Sequence, residues 1–164
     1  MNGVLERDMR LCFKQRFTFG FDKYDIYNEA GEVVFTVKGR FAFGRKLEIF
    51  DRGGNLIGTL IGRVFTFLPT FEMYIGDRPA GIIQKKFTFF QPEFIVDCNG
   101  WSVSGNIWEF DYSITDPEGR TVAVIEKEFA FMDTYYLDIF DDADALAVLM
   151  IVIAIDAEKD NRNN

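Results

Sequence analysis

Basic residues that stand just before pairs of aromatic residues are the part of this sequence best suited to binding chemistry. Five of them alternate with the phenylalanines that follow: Lys14, Arg16, Lys38, Arg40 and Lys86. Because side chains alternate between the two faces of a strand, these five are predicted to face outward if the phenylalanines face inward. Lysine and arginine on an outer surface can bind the phosphate groups of anionic phospholipids. We therefore take them as candidate residues for anionic-lipid binding.

Not all basic residues near the aromatic pairs are expected to lie on the outer surface. Arg63, Lys85 and Lys127 share the parity of the aromatic residues, so they are not expected to face outward with the others unless a β-bulge intervenes. Glu126 and Glu128 take the outward positions in a later part of the chain. The chain as a whole carries a net charge of −8, which opposes an anionic membrane. A solvated surface is therefore the favoured interpretation of these residues, and binding of anionic phospholipid is the alternative.

Catalytic and metal-binding chemistry is poorly represented. The sequence has no histidine, which excludes Ser-His-Asp and Cys-His catalysis and removes the commonest metal ligand. Asp138, Asp141, Asp142 and Asp144 form an acidic cluster without the spacing of an EF-hand loop. Helix capping is the favoured role of this cluster, and calcium binding is its alternative. We predict a protein that is not an enzyme and that has no catalytic residue, cofactor or metal.

Composition and charge limit the cellular setting. The first 82 residues carry 12 basic and 10 acidic side chains, whereas the remaining residues carry 6 and 16, and this balance argues against nucleic acid as a partner. Cys12 and Cys98 are far apart in sequence and predict reduced thiols. Residues 1–10 lack the apolar stretch of a secretory signal. We expect a cytoplasmic, monomeric protein without a transmembrane segment.

An aromatic-any-aromatic triplet recurs six times and predicts a repeated structural unit. The first residues of successive triplets are 24, 24, 22, 21 and 21 positions apart, and the triplets begin at Phe17, Phe41, Phe65, Phe87, Trp108 and Phe129. Residues two positions apart lie on one face of a strand. We therefore expect the triplets to pack into a core rather than to form a stacking site.

Each repeat holds two short runs with apolar residues at alternate positions. Turn residues rich in Gly, Asp, Asn and Pro join one repeat to the next, for example at residues 51–55 and 116–119. Six repeats of two strands give twelve strands, and closure into an antiparallel up-and-down barrel removes the exposed edges of such a sheet. The barrel is predicted to cover about residues 8–140.

A continuous apolar run near the end of the chain is predicted to fill this barrel. Residues 145–155 are all apolar, so a helix here would be apolar on every side. Eleven helical residues span only ~16 Å, which is too short for a bilayer. We therefore predict a buried central helix over about residues 142–157.

The strand pairs, the basic-Phe-any-Phe pattern and the terminal apolar helix resemble the LURP-one-related family, in the form of its small bacterial members. The resemblance covers roughly residues 8–157 and implies the fold of the tubby C-terminal domain and the phospholipid scramblases, a twelve-stranded barrel around a hydrophobic helix. It implies no catalytic residue set.

We therefore expect residues 1–164 to form a single domain that acts as a non-enzymatic, soluble, intracellular binding or scaffold module. Two alternatives stay open. One is peripheral binding of anionic phospholipid or phosphoinositide through the basic residues of the first half, and the phosphoinositide is what the resemblance to the tubby branch implies. The other is a lipid-handling or enzymatic role that uses the barrel interior.

Overall fold

A computed structural model describes residues 6–14, 23–40, 45–63, 67–90, 93–128 and 134–160, with only the backbone described at residues 14, 40, 159 and 160. It contains twelve strands: β1 (Met9–Lys14), β2 (Lys23–Tyr27), β3 (Val33–Arg40), β4 (Lys46–Phe50), β5 (Leu56–Arg63), β6 (Thr70–Ile75), β7 (Arg78–Lys85), β8 (Phe94–Asp97), β9 (Ser102–Asn106), β10 (Asp111–Thr115), β11 (Thr121–Glu128) and β12 (Thr134–Ile139). One α-helix follows them, α1 (Ala145–Asp160).

The strands form one antiparallel sheet that curls into a nearly closed barrel. Neighbours in sequence pair with each other from β1 to β8 and from β9 to β12, and β1 pairs with β12 to join the two series. In the described part of the chain, β8 and β9 are the two ends of this hydrogen-bonded order. The predicted twelve-stranded antiparallel barrel is therefore confirmed, and among the described residues no ladder joins β8 to β9.

Alternation of apolar and polar residues explains why the strands face the interior as they do. In β4, Leu47 and Ile49 are buried while Lys46 is exposed, and in β8 the buried residues are Phe94 and Val96. Successive side chains of a strand point to opposite faces of the sheet. The register of strand pairing therefore determines which side chains line the interior. The inner surface is aliphatic and aromatic along the length of the barrel.

The helix α1 fills the barrel and confirms the predicted central plug. All the apolar residues from Ala147 to Ile155 are buried. The helix begins three residues later than predicted, because Asp141 accepts a hydrogen bond from the Ala143 amide (3.0 Å) and caps a short 3-10 turn over Asp142–Asp144. A helix with apolar residues on every side is stable only when it is surrounded, and here the sheet surrounds it.

The two ends of the barrel are built differently. Tight turns lead from each even-numbered strand to the next odd-numbered strand. Together with residues 140–144, which follow β12, they form what we call the turn end: residues 28–32, 51–55, 76–77, 98–101, 116–120 and 140–144. The connections from odd to even strands lie at the opposite end, since every strand pair is antiparallel. Its described residues are 45, 67–69, 86–90, 93 and 107–110, and we call this the loop end.

The direction of α1 inside the barrel follows from its contacts. A β-carbon added at Gly58, near the turn-end start of β5, would lie 3.2 Å from Met150 Sδ and 3.3 Å from Leu146 Cδ1. At the loop end, the Arg45 guanidinium donates a hydrogen bond to the carbonyl of Ala157. The helix therefore enters at the turn end and reaches the loop end with its last turns.

The prediction that the aromatic triplets line the core is wrong where the structure describes them, apart from Phe110. Phe67, Phe87 and Phe89 are exposed, whereas Phe110 is buried. Trp108 lies in a 3-10 turn rather than a strand. The described triplet residues lie in the connections from odd-numbered to even-numbered strands, outside the strands whose pairing imposes alternation. The triplets at 17–19, 41–43 and 129–131, and Phe65, lie outside the described residues.

Candidate functional site: the loop end of the barrel

Four exposed phenylalanines mark the loop end as the candidate site. Phe67 is 93% exposed, Phe87 66%, Phe89 85% and Phe90 98%. They lie on two neighbouring connections, because the β5–β6 and β7–β8 connections flank the paired strands β6 and β7. The rings of Phe87 and Phe89 meet edge to face, with centroids 5.3 Å apart. Contiguous exposed apolar side chains of this size are typical of an interaction surface.

Hydrogen bonds at the strand ends hold these two connections in place. The Lys85 amide donates to the Pro69 carbonyl (3.0 Å), and the Lys86 amide donates to the Glu93 carbonyl (2.8 Å). The Gln84 side chain donates to Thr70 Oγ1 (3.1 Å) across the same strand pair. Hydrogen bonds therefore hold the ends of the two connections. The phenylalanines lie outside the strands, so strand alternation does not set the direction of their side chains.

The basic residues around this end have acidic or aromatic neighbours. Lys86 Nζ lies 3.3 Å from a carboxylate oxygen of Glu93, and Arg63 forms an ion pair with Glu72. Exposed Lys38 lies over the ring of Phe50, 4.5 Å from its centroid. Exposed ion pairs of this kind are weak and screened by salt, so these cations can exchange partners at low cost.

Three of the five basic residues predicted as lipid ligands stand at or next to the loop-end termini of their strands. Lys14 and Arg40 are the last residues of β1 and β3, and Lys86 directly follows β7. Lys38 and Lys86 are exposed. For Lys38 this follows the predicted parity, whereas Lys86 lies outside β7 and precedes phenylalanines that are themselves exposed. The side chains of Lys14 and Arg40, and the whole of Arg16, lie outside the described residues.

Two of the basic residues with aromatic parity behave differently from each other. Lys85 is buried, in line with its parity, and lies 5.9 Å from the centre of the Trp108 ring. Arg63 is exposed, because the inward positions of β5 are those of Gly58, Leu60 and Gly62. The expectation that Arg63 faces inward is therefore wrong. It assumed that the following aromatic triplet continues the strand, whereas β5 ends at Arg63.

Buried polar groups gather where α1 reaches the loop end. Asp156 and Glu158 in the last turns of the helix are both buried. Burial raises the pKa of the Tyr112 hydroxyl well above its usual range, and the charge of Asp156 raises it further. The Tyr112 hydroxyl therefore stays protonated, and within the described residues it has no hydrogen-bond partner. This end of the helix is the polar part of an otherwise apolar interior.

The acidic cluster near the turn end has structural roles. Arg10 forms two hydrogen bonds of 2.6 Å to the carboxylate of Asp138, and Asp141 caps the 3-10 turn. Burial raises the pKa of Asp144, and the neighbouring Asp141 adds to this effect. Across the described ranges, no group of three or more Asp, Glu or Cys side chains is arranged to hold a metal ion. This geometry agrees with the capping interpretation.

Sequence reasoning missed the exposed phenylalanines as surface residues. One signal was present in the order Phe89-Phe90-Gln91-Pro92. Two consecutive aromatic residues cannot both face inward on one strand, and a proline two positions later is unsuited to a central strand. These features together indicate a connection rather than a strand.

The model of the LURP-one-related family matches residues 9–156, which is nearly the whole barrel and most of α1. The chain belongs to the LURP-one-related family. It is similar to the uncharacterised protein YxjI of Bacillus subtilis (strain 168), with 29% identity over 149 residues that cover 90% of this chain and 92% of that protein.

A solved structure shares the fold of this family member. The X-ray structure of a protein from Arabidopsis thaliana superimposes with a TM-score of 0.61 and 15% identity, over 92% of this chain and 91% of the other. That similarity concerns the fold alone. Among the described residues, the single long helix does not meet the length and hydropathy that a bilayer-crossing helix requires.

Proposed function

We propose that this LURP-one-related protein is a non-enzymatic binding module whose ligands attach to the outside of the barrel. The observation that supports this proposal most directly is the filled interior, where the helix residues from Val148 to Ile155 are no more than 1% exposed. Cavities that bind small molecules are concave and partly open, and a lumen occupied by a helix leaves little room for one. The sequence also lacks the histidine that many hydrolytic sites use.

Amide hydrogen exchange of the purified protein tests whether the interior stays closed. If ligands bind outside, the amides of Leu146–Ile155 exchange only through global unfolding, at the same rate as the central strand β12. Fast exchange across the helix, with β12 still protected, would show that α1 leaves the barrel. That result would replace this proposal with the lipid-handling or enzymatic role of the interior.

A second candidate function is electrostatic binding of anionic phospholipid by Lys14, Arg16, Lys38, Arg40 and Lys86. It is supported by the position of Lys14, Arg40 and Lys86 at or next to the loop-end termini of their strands. Cations near an anionic surface each contribute about 1 kcal/mol to binding, and this attraction falls with salt.

Charge reversal separates this second candidate from the first. We expect Lys38→Glu with Arg40→Glu to abolish salt-sensitive binding to vesicles that contain phosphatidylglycerol. The matched control is Arg52→Glu with Arg78→Glu, which makes the same change in net charge at or next to the turn end. Equal loss in both double variants would mean that only the total charge matters, and it would contradict a lipid site at the loop end.

A further inference from the structure

We propose that the loop end inserts its exposed phenylalanines into the interfacial region of a lipid bilayer. The inserting group consists of Phe67, Phe87, Phe89 and Phe90, and we call it the phenylalanine cluster. This inference rests on the proposed function, an external binding surface, and names its partner. It differs from electrostatic lipid binding because the apolar rings, not the cations, supply most of the attraction.

The exposure and position of the cluster are the first argument. Phe89 and Phe90 are 85% and 98% exposed, so almost their entire rings meet water in the free protein. They project from connections anchored by strand-end hydrogen bonds, such as that between Lys86 and Glu93. Transfer of apolar surface out of water is favourable in proportion to its area. These hydrogen bonds fix the ends of the connections before the rings insert.

The distribution of charge is the second argument, and it selects a membrane as the occupant. The described residues of the loop end carry two basic side chains, Arg45 and Lys86, and two acidic ones, Glu93 and Glu109. The turn end carries nine acidic and two basic side chains. An anionic bilayer therefore repels the turn end and accepts the loop end. This asymmetry orients the barrel with α1 along the bilayer normal and its last turns toward the lipid.

The chemical make-up of the cluster is the third argument. A specific protein interface combines apolar anchors with a polar rim that makes directional hydrogen bonds. The cluster offers four rings of one type, with a cation at its base in Lys86. Aromatic rings beside lysine are typical of surfaces that lie in the headgroup region of a membrane. The side-chain chemistry thus matches a fluid lipid surface.

Vesicle co-sedimentation of the full chain tests the inference. The probes are vesicles of phosphatidylcholine and of an equal mixture of phosphatidylcholine and phosphatidylglycerol, at low and at molar salt. We expect partition onto both kinds of vesicle, and a component that persists in molar salt because apolar insertion is not screened. The double variant Phe89→Ser with Phe90→Ser is expected to lower the partition coefficient about tenfold or more.

The matched control is Leu56→Ser, which removes an apolar side chain 48% exposed at the first residue after a tight turn. It is expected to bind vesicles like the unsubstituted protein. Circular dichroism melts of all variants check the fold, and exposed substitutions should leave them unchanged. A reporter variant, Phe90→Trp, is expected to show a blue-shifted emission that brominated lipids quench.

Three results would overturn the inference: no partition of the unsubstituted protein, equal partition of the double variant, or a Phe90→Trp emission that vesicles do not change. A dimer that the double variant abolishes, without vesicle binding, would assign the cluster to a second copy of the chain. None of these results concerns the hydrogen exchange of α1, which tests the proposed external binding separately. Failure of membrane insertion is thereby distinguishable from failure of the proposed external binding.

Discussion

The two ends of this barrel are opposite in chemistry although the same strands form both. In the 26 residues of the turn end there are two aromatic side chains and a net charge of −7. The 14 described residues of the loop end contain six aromatic side chains and no net charge. Phe110 packs in the core, but the exposed Phe67, Phe87, Phe89 and Phe90 are not part of the core that the barrel wall and α1 share. The difference indicates that the two ends serve different purposes.

The turn end follows from folding requirements alone. In the β4–β5 turn, Asp51 Oδ1 accepts a hydrogen bond from the Asn55 amide (2.9 Å), and Gly54 takes the positive φ of +78°. Acidic and glycine residues satisfy the backbone of tight turns, so their presence needs no ligand. Exposed phenylalanines stabilise no turn of this kind. The loop end is therefore where a functional constraint is visible.

The largest expected effect distinguishes buried from exposed phenylalanine at the loop end itself. Phe71, the second residue of β6, is 2% exposed, whereas Phe67 lies four positions earlier and is 93% exposed. We expect Phe71→Ala to lower the free energy of unfolding by about 3–5 kcal/mol. Phe67→Ala should change it by less than about 0.5 kcal/mol. Urea unfolding of the two variants measures both. Similar losses in the two variants would show that Phe67 packs in the folded state, and would contradict its assignment to an exposed surface.

A smaller effect is expected at the polar end of the interior. The Tyr112 hydroxyl is buried without a hydrogen-bond partner among the described residues, and desolvating it in that state costs free energy. We expect Tyr112→Phe to stabilise the protein by about 1 kcal/mol, which raises Tm by about 2–4 °C. Differential scanning calorimetry measures this shift. A lower Tm would show that the hydroxyl makes a stabilising hydrogen bond in the folded protein. The interior at the loop end would then hold no unpaired polar group at this position.

The smallest expected effect concerns the pH dependence of the turn end. Hydrogen bonds from the Asn55 side chain and amide lower the pKa of the exposed Asp51 below its ordinary value of 3.8. Because the folded pKa is the lower one, this contribution to stability is present at neutral pH and is lost as the pH falls through the depressed pKa. Asp51→Asn should therefore lower Tm at neutral pH by about 1 °C, and the difference should vanish in acid. Thermal melts at a series of pH values measure it. A difference that grows in acid would contradict the assignment.

The sequence predicted those parts of the fold in which local patterns and burial agree. Alternation of apolar residues predicted two strands in each of six repeats and so the twelve strands, and the apolar run located α1 to within three residues at each end. A buried strand or helix must match its neighbours at every position, so its hydrophobic pattern can be recognised in a single sequence.

The candidate site was only partly predictable. Lys38 was correctly predicted to face outward, because strand parity governs it. Lys86 is exposed as well, but it follows β7 and precedes phenylalanines that are themselves exposed, so strand parity does not explain its exposure. Phe87 and Phe89 were predicted to face the core, because their spacing matches a strand. A connection has no ladder to impose that parity, so spacing alone does not determine the direction of its side chains.

Hydrogen exchange of the full chain with and without phosphatidylglycerol-containing vesicles tests most directly whether the loop end is the binding surface. We predict that vesicles slow the exchange of peptides spanning 67–69 and 86–90, while peptides of the turn end and of Leu146–Ile155 keep their free-state rates. Slower exchange at the turn end, or faster exchange across α1, would show that the loop end is not the binding surface or that the interior opens.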